Sequence, residues 1–236
     1  MKVLVIGASG ATGRLVVDQL LSRGIEVHAI IRSLDSLAEK PNLYKIQASV
    51  HDLSSKEMAI HLKDCEAVIS CLGHNLTFKG IFAQPRLLVK DTIECICSAI
   101  KANKATHSVK IILMNTTGNC NRDIPEIAPL SQRIVIALLR VLLPPHLDNE
   151  KAADFLRTQI GQNDNAIEWL AVRPDALCNE NDVSAYNVHV SPNRNAIFNS
   201  GATSRINVGN FMTELILNQS TWLKWKGQMP VIYNNP

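Results

Sequence analysis

The chain of 236 residues has few aromatic side chains, which make up 5% of it, and three of these are tyrosines. Its 24 basic and 21 acidic residues leave a net charge of +3, and no dense basic run stands out. Proteins that bind nucleic acid typically combine a basic patch with aromatic side chains that stack on the bases. We therefore expect no nucleic-acid partner.

Long hydrophobic runs are also absent. The longest, Ile134 to Leu143, is interrupted by Arg140 and followed by Pro144 and Pro145. A membrane-spanning helix needs about 20 apolar residues, so we expect no membrane span. The run predicts a helix in the core or at a subunit contact, and an apolar substrate wall or a membrane-surface contact are the alternatives.

The cysteines lack the spacing of metal ligands, and the six are Cys65, Cys71, Cys95, Cys97, Cys120 and Cys178. We expect no metal site and buried free thiols, as is usual for a protein in a reducing compartment. The first predicted strand begins at Lys2 with no secretory leader before it. We therefore expect a cytoplasmic protein.

What the sequence does contain is enough apolar surface for one large core, since 46% of the residues are apolar and 19% are charged. We expect a single domain over residues 1–236. Continuous apolar runs, typical of buried parallel strands, alternate with segments of helical periodicity. The predicted strands are Lys2–Ile6, Glu26–Ile31, Leu43–Ala48, Ala67–Cys71, Lys110–Met114 and Ile167–Val172, and the clearest later helices are Leu87–Lys104 and Asn149–Ile160. This alternation predicts an α/β Rossmann fold, a doubly wound parallel sheet with helices on both faces, and it leaves Cys178 to Ser204 as an irregular stretch.

The most specific motif follows the first strand and reads Gly-Ala-Ser-Gly-Ala-Thr-Gly over residues 7–13. Gly7 permits a tight turn, Gly10 lets the backbone approach a pyrophosphate, and Gly13 allows the following helix to pack closely. Phosphates then lie at the free N–H groups of the helix N-terminus. The loop is completed by Ser9, Ala11 and Thr12. We interpret it as a dinucleotide site, and a purely structural glycine turn is the alternative.

Arg32 ends the second predicted strand, 19 residues after Gly13, and Ser33 follows it. The residue at this place lies beside the 2′ position of the adenosine ribose. An acidic residue would bind the 2′-hydroxyl of NAD, whereas a basic one accepts the 2′-phosphate of NADP. Arg32 therefore predicts NADPH as the cofactor, and the alternative is an ordinary solvated arginine.

The spacing Gly-x-x-Gly-x-x-Gly, with Ala11-Thr12 before the last glycine, resembles the short-chain dehydrogenase/reductase superfamily. More narrowly, the chain is similar to its atypical NAD(P)H-binding branch, which holds NmrA-like proteins and flavin reductases of the biliverdin reductase B type. Trp169 to Pro174 resembles the strand that leads to the substrate pocket of that family, and Ser204 to Val208 resembles the opening of its penultimate helix. The resemblance covers most of the chain and implies that the substrate pocket lies mainly in residues 174–236.

Further cofactor contacts are implied by the resemblance. Asp52 and Leu53 match a short acidic motif near the adenine, although Asp52, with Ser54 beside it, is equally typical of a helix N-cap. The backbone beside the cofactor's ribose is implied to be that of Cys71, Leu72 and Gly73.

Two further predictions concern the substrate. Arg173 faces the phosphates or an anionic substrate in one interpretation, and it pairs with a carboxylate in the other. Phe78 and Phe82, in the segment from His74 to Arg86, form either a wall for an aromatic substrate or a small satellite core.

The catalytic residues depart from the pattern of the superfamily. Where it has a serine after the fifth strand, this chain has Asn115, Thr116 and Thr117. The resemblance implies that Thr116 presents its hydroxyl to the nicotinamide, with Thr117 as the alternative. The usual Tyr-x-x-x-Lys acid is missing, because none of Tyr44, Tyr186 and Tyr233 has a lysine four residues on. By alignment the missing pair is replaced by His146 and Glu150, with Lys151 one step out of register. His146 is a candidate proton donor, and a surface loop residue is the alternative.

A conjugated acceptor that collects its proton from solvent needs no such tyrosine. We therefore expect an NADPH-dependent oxidoreductase that transfers hydride to a small molecule such as a flavin, a quinone or a linear tetrapyrrole. The alternative is a non-catalytic NADP(H)-binding sensor of the NmrA-like kind that regulates a partner protein. A sugar-nucleotide epimerase fits less well, since its chemistry needs the tyrosine. We expect a monomer or a homodimer.

Overall fold

Strands and helices alternate through the computed structural model, which describes residues 1–74, 84–104, 107–127 and 129–235. The strands are β1 (Lys2–Ile6), β2 (Glu26–Ile31), β3 (Leu43–Gln47), β4 (Ala67–Ser70), β5 (Val109–Met114), β6 (Ile167–Pro174), β7 (Ala176–Cys178), β8 (Tyr186–His189), β9 (Ala202–Ser204) and β10 (Val231–Asn234). The α-helices are α1 (Ala11–Ser22), α2 (Ser55–His61), α3 (Leu88–Asn103), α4 (Leu130–Leu142), α5 (Pro144–Phe155), α6 (Arg205–Leu217) and α7 (Gln219–Trp225). A 3₁₀ turn at Leu34–Ser36 follows β2, and a π-helical turn at Leu156–Ile160 continues α5.

The central sheet has eight strands in the order β3-β2-β1-β4-β5-β6-β10-β8. All neighbours pair in parallel except β8, which runs antiparallel to β10. The chain first builds outward from β1 to β3 and then returns to place β4 on the other side of β1. A topological switch point therefore lies between β1 and β4, where α/β proteins of this kind form a ligand crevice at the carboxyl ends of the strands.

Apolar side chains of alternate strand residues enter two layers, one on each face of the sheet. Val3 and Val5 of β1 pack against α1, α6 and α7, whereas Leu4 and Ile6 pack against α2, α3 and α5. This alternation is the two-residue period of a strand, and burial of both faces explains why the strands read as continuous apolar runs. The predicted doubly wound α/β fold is confirmed.

The structure corrects two predicted elements. The helix expected from Asn149 begins at Pro144, because a proline is well suited to the first helical position and so starts α5 rather than ending the region. The stretch from Cys178 to Ser204 was expected to be irregular, yet it contains β8 and β9.

Helix α4 differs from the predicted core helix. Of its residues, Gln132 and Ile136 are buried, whereas Leu130, Ile134 and Val141 are more than half exposed. The prediction of a core helix is therefore wrong, and a subunit contact stays a prediction. Within the described ranges no single helix has the length and apolar character to cross a membrane, although α4 and the helix from Pro144 to Ile160 meet those criteria as a pair bent by 103°.

All six cysteines lie in the described part of the chain and are free. Cys65 and Cys97 are buried, but Cys120 is exposed, which corrects the expectation of buried thiols at that position. The remaining three are partly buried.

Candidate functional site

The glycine turn after β1 is packed so tightly that two of its glycines cannot be replaced by a residue with a side chain unless the backbone shifts. Gly7 has a φ of +73°, and a Cβ added there would lie 2.6 Å from the carbonyl carbon of Cys71. A Cβ at Gly13 would lie 2.1 Å from the carbonyl oxygen of Gly7. At Gly10 the nearest atom would be that same oxygen at 3.2 Å, and the rest of the surroundings are open. Gly7 and Gly13 thus serve the backbone packing, while Gly10 leaves space beside the turn.

Helix α1 begins directly after this turn, with Gly10 as its N-cap residue. In the described part of the chain no side chain caps the helix, and no acidic residue lies in its first turn. Its first N–H groups and the positive end of its dipole are therefore available to an anion. Ser9 is partly buried, Ala11 is exposed and Thr12 is buried. Space beside Gly10 together with an uncapped helix start fits the pyrophosphate of a dinucleotide.

A cleft of about 520 Å³ lies at the switch point, within the usual range of small-molecule sites. It is lined from the carboxyl ends of β1, β2 and β4, and the predicted site residues along it are Gly7, Ser9, Gly10, Arg32, Cys71, Leu72 and Gly73. These residues were predicted from three separate parts of the sequence. The parallel sheet brings them to one edge.

Arg32 follows β2 with an exposed side chain at one end of this cleft. Among the residues that the structure describes, none forms an ion pair or hydrogen bond with its guanidinium. Ser33 is also exposed and precedes the 3₁₀ turn at Leu34–Ser36. A free guanidinium at this end of the cleft fits the 2′-phosphate of an adenosine ribose.

The predicted adenine contacts lie just outside the described lining. Asp52 is exposed and its carboxylate lies 3.0 Å from Nε2 of His51, a residue that does line the cleft. The N-cap of α2 is Ser54, in a capping box with Glu57, so the interpretation of Asp52 as a helix cap is wrong. Leu53 packs on the apolar layer around α2 and α3.

At the end of β4, Cys71, Leu72 and Gly73 line the cleft, and their backbone is the one that the resemblance implies to lie beside the cofactor's ribose. An added Cβ at Gly73 would meet nothing within 4 Å, so this glycine faces open space. Burial raises the pKa of the Cys71 thiol to about 12, which keeps it protonated near neutral pH.

The two candidate threonines after β5 have different surroundings. Thr117 is buried, and its hydroxyl donates to Oδ1 of Asp175 at 3.0 Å. The same carboxylate accepts the N–H of Gly201 at 2.8 Å, while burial raises the pKa of Asp175. Thr116 is partly exposed, and its oxygen accepts the N–H of Gly118 at 3.3 Å. In the described part of the chain its hydroxyl hydrogen has no acceptor, so Thr116 is the threonine able to donate to a ligand.

His146 lies in the first turn of α5 and is partly buried, so the interpretation as a surface loop residue is wrong. A Cβ added at Gly118 would lie 3.2 Å from Cε1 of its ring, which places the imidazole against the loop that carries Thr116. Within the described residues its Nε2 is buried and has no hydrogen-bond partner. Burial lowers the pKa of His146, and this effect outweighs the opposing influence of Glu150.

Glu150 connects three segments through its carboxylate. Arg140 of α4 donates to both oxygens at 2.7 and 2.6 Å, and Arg122 donates at 2.5 Å. Burial alone would raise the pKa of Glu150, but the hydrogen bonds and charges of the two arginines lower it overall. Glu150 is thus an ionised structural residue, and Lys151 beside it is exposed.

The predicted cofactor contact of Arg173 is wrong. Its side chain is fully buried and donates to the carbonyl oxygens of Met229 and Asn119 at 2.6 and 2.7 Å. Its guanidinium also pairs with Glu126 at 2.5 and 2.9 Å. The carboxylate-paired alternative therefore describes Arg173.

The three tyrosines do not belong to the described lining of the cleft. Tyr44 is exposed and stacks on His28, while the hydroxyl of Tyr186 donates to Asn210 at 2.8 Å. Tyr233 is buried beside Gly201. Among the residues described as lining the cleft, Thr116 and His146 are likewise not found.

Sequence reasoning missed a buried pair beside the cleft. His74, which follows the predicted Gly73 and lines the cleft, lies 2.7 Å from Oδ2 of Asp148 on α5. The two residues are 74 positions apart, so no local pattern relates them. Phe78 and Phe82, predicted as an aromatic wall or satellite core, lie outside the described residues.

Together, the doubly wound sheet, the glycine turn and the cleft at the switch point define a Rossmann-type dinucleotide-binding protein. The sequence matches the family model described as NAD(P)H-binding over residues 7–219. The chain therefore belongs to the NAD(P)H-binding family.

Individual relatives match the chain over a short stretch or at low sequence identity. A chloroplastic protein of Arabidopsis thaliana is 38% identical over 76 residues, and the match covers 30% of this chain and 27% of the Arabidopsis protein. A short-chain dehydrogenase/reductase from Veillonella parvula, solved in complex with NADP, has a TM-score of 0.71 at 11% identity and covers 99% of this chain and 94% of that one. A proposed NADH-flavin reductase from Streptococcus pneumoniae has a TM-score of 0.66 at 19% identity over 100% of both chains. The two structural likenesses show a shared fold.

Proposed function

We propose that the protein is an NADPH-dependent reductase that passes hydride to a conjugated small molecule such as a flavin, a quinone or a linear tetrapyrrole. We propose that within its family it resembles the flavin reductases of the biliverdin reductase B type. The observation that carries the proposal is a cleft with Arg32 at one end, whose guanidinium has no partner among the described residues. The proposed NADH-flavin reductase of Streptococcus pneumoniae, which shares the fold, belongs to the same class of reaction.

The binding part of the function rests on the glycine turn and on Arg32. The backbone N–H groups at the start of α1 hold the pyrophosphate beside Gly10, where no side chain intrudes. The guanidinium of Arg32 donates a charge-assisted hydrogen bond to the 2′-phosphate, which favours NADPH over NADH.

When bound, the reduced nicotinamide supplies the hydride. Thr116 donates a hydrogen bond to the acceptor, and its neighbour Thr117 is held by Asp175 so that the loop keeps its shape. The proton that completes the reduction comes from solvent, because burial keeps His146 neutral near pH 7 and no tyrosine replaces it. Residues 174–236 supply most of the acceptor pocket. The protein acts in the cytoplasm as a monomer or homodimer.

The test follows NADPH oxidation without oxygen at the nicotinamide absorbance band, with FMN, quinones and biliverdin as acceptors. We expect Thr116→Val to lower single-turnover hydride transfer by a factor that corresponds to about 1–3 kcal/mol, the free energy of one hydrogen bond. Tyr186→Phe and His146→Ala serve as controls and should retain hydride transfer within a few-fold.

A hundredfold loss in either control variant would show that the protein recruits a side-chain acid and would contradict the solvent-proton mechanism. Tight NADPH binding without oxidation by any acceptor would instead support the alternative of a non-catalytic sensor of the NmrA-like kind.

A further inference from the structure

His74 and Asp148 form a buried pair at the edge of the cleft. The side chain of His74 is 3% exposed and that of Asp148 is 0% exposed, with 2.7 Å between Nε2 and Oδ2. The Asp148 carboxylate also accepts the N–H groups of Val89 and Lys90 at 2.8 and 2.9 Å. Asp148, which lies on α5, thus binds both His74 after β4 and the backbone at the start of α3.

The pair lies on the side of the cleft away from Arg32. In a Rossmann fold the two halves of the dinucleotide extend to opposite sides of the switch point, with the adenosine half towards β2. Arg32 follows β2, whereas His74 follows β4, so His74 lies on the side that receives the nicotinamide half.

The imidazole has a fixed orientation because its Nε2 is bound to a carboxylate that is itself fixed by two backbone groups. Such a carboxylate–histidine pair sets which ring nitrogen carries the proton and holds the ring in one place. The backbone of Leu72 and Gly73, which lines the cleft directly before His74, is held with it.

We propose that His74, held by Asp148, is a positioning residue for the nicotinamide half of the dinucleotide. This inference rests on the dinucleotide-binding part of the proposed function and does not depend on the acceptor. Loss of the pair would loosen the nicotinamide side of the cleft while the glycine turn and Arg32 remain intact.

The experiment compares two ligands by calorimetry: NADPH, and adenosine 2′,5′-bisphosphate, which carries the adenosine half alone. We expect His74→Phe to raise the Kd of NADPH about tenfold and that of the bisphosphate less than about twofold. His74→Gln, whose amide can still donate to Asp148, should recover most of the NADPH affinity. The matched control is His28→Phe, which removes a histidine paired at 2.7 Å with Glu26 on β2, outside the described lining of the cleft.

The proposal is overturned if both ligands weaken by the same factor, if NADPH binding does not change, or if His74→Gln behaves like His74→Phe. If the protein binds NADH in place of NADPH, the same comparison is made with NADH and with ADP, which carries the adenosine half alone. Absence of acceptor reduction would contradict the reductase proposal and leave this binding comparison unaffected.

Discussion

At the scale of single residues, the three glycines of the turn have separable roles. Gly7 and Gly13 are required by backbone atoms that an added Cβ would meet at 2.6 and 2.1 Å. Gly10 has an ordinary φ of −73° and its nearest neighbour is 3.2 Å from an added Cβ. A side chain at Gly10 is therefore tight against one backbone oxygen, but it costs the fold less than a side chain at Gly7 or Gly13.

We expect Gly10→Val to abolish NADPH binding while the protein stays folded, because the side chain would occupy the space of the pyrophosphate. Gly13→Ala, with a smaller side chain, should instead destabilise the fold, since its Cβ would overlap the carbonyl oxygen of Gly7. Thermal unfolding and calorimetric titration separate the two effects. A folded Gly10→Val protein with unchanged NADPH affinity would contradict the prediction.

A second prediction concerns the choice of cofactor. We expect Arg32→Ala to remove a preference for NADPH over NADH of about 1.5–3 kcal/mol, the free energy of a charge-assisted hydrogen bond. The measurement is the ratio of the two dissociation constants. Arg133→Ala, an exposed arginine on α4, is the control and should leave the ratio as it is. An unchanged ratio in Arg32→Ala would show that the 2′-phosphate binds elsewhere.

Sequence reasoning at this scale depends on whether a residue's partner is near in the chain. The glycines and Arg32 could be placed because a strand, a turn and a helix follow one another with fixed spacing. Arg173 was misplaced because its partner Glu126 is 47 residues away, and burial of a long charged side chain leaves no periodic signal. The pair of His74 and Asp148 was missed for the same reason.

At the scale of secondary structure elements, Glu150 holds α4 in place through Arg140 and also binds Arg122. We expect Glu150→Gln to lower the free energy of unfolding by about 1–3 kcal/mol. This loss of stability is smaller than for a fully buried pair, because the side chains of Arg122 and Arg140 are 46% and 38% exposed. Hydrogen exchange should rise first in α4. Glu94→Gln, which weakens a partly exposed pair with Lys90 on α3, is the control and should change stability by less than about 0.5 kcal/mol.

The same carboxylate contributes to the dependence of stability on pH. The pKa of Glu150 in the folded protein lies below its usual value of 4.5, so its contribution is complete above that pH. It is lost as the pH falls through the folded-state pKa. The free energy of unfolding of Glu150→Gln should therefore fall less steeply than that of the wild type below pH 4.5. Parallel curves would show that the pKa of Glu150 is the same in the folded and unfolded states.

Strands with continuous apolar patterns can be predicted from the sequence, whereas short polar strands cannot. The strands of the parallel sheet could be located from continuous apolar runs, because both faces of each strand are buried. β8 has four residues, Tyr186–His189, and pairs antiparallel with β10 more than forty residues later. Its existence depends on that partner, which the local sequence does not indicate. The start of α5 was misjudged because a proline pair suits both the end of one helix and the start of the next.

At the scale of the whole molecule, the sheet divides the apolar interior into two layers that share no helix. Cys71 packs on the layer of α1, α6 and α7, whereas Cys97 belongs to the layer of α2, α3 and α5. Burial raises the pKa of each of these thiols to about 12. Since thiolates are the reactive form, both thiols react slowly near neutral pH, and the buried Cys97 is also shielded until its layer opens.

The rates at which these two thiols are modified therefore report on the two layers of the interior. Alkylation followed by mass spectrometry would compare the two layers, with the partly buried Cys71 modified before the buried Cys97. Because Cys71 also lines the cleft, saturating NADPH should slow its modification far more than that of Cys97. Equal slowing at both cysteines would mean that the ligand stabilises the molecule as a single unit, and no slowing at either would place the dinucleotide away from this cleft.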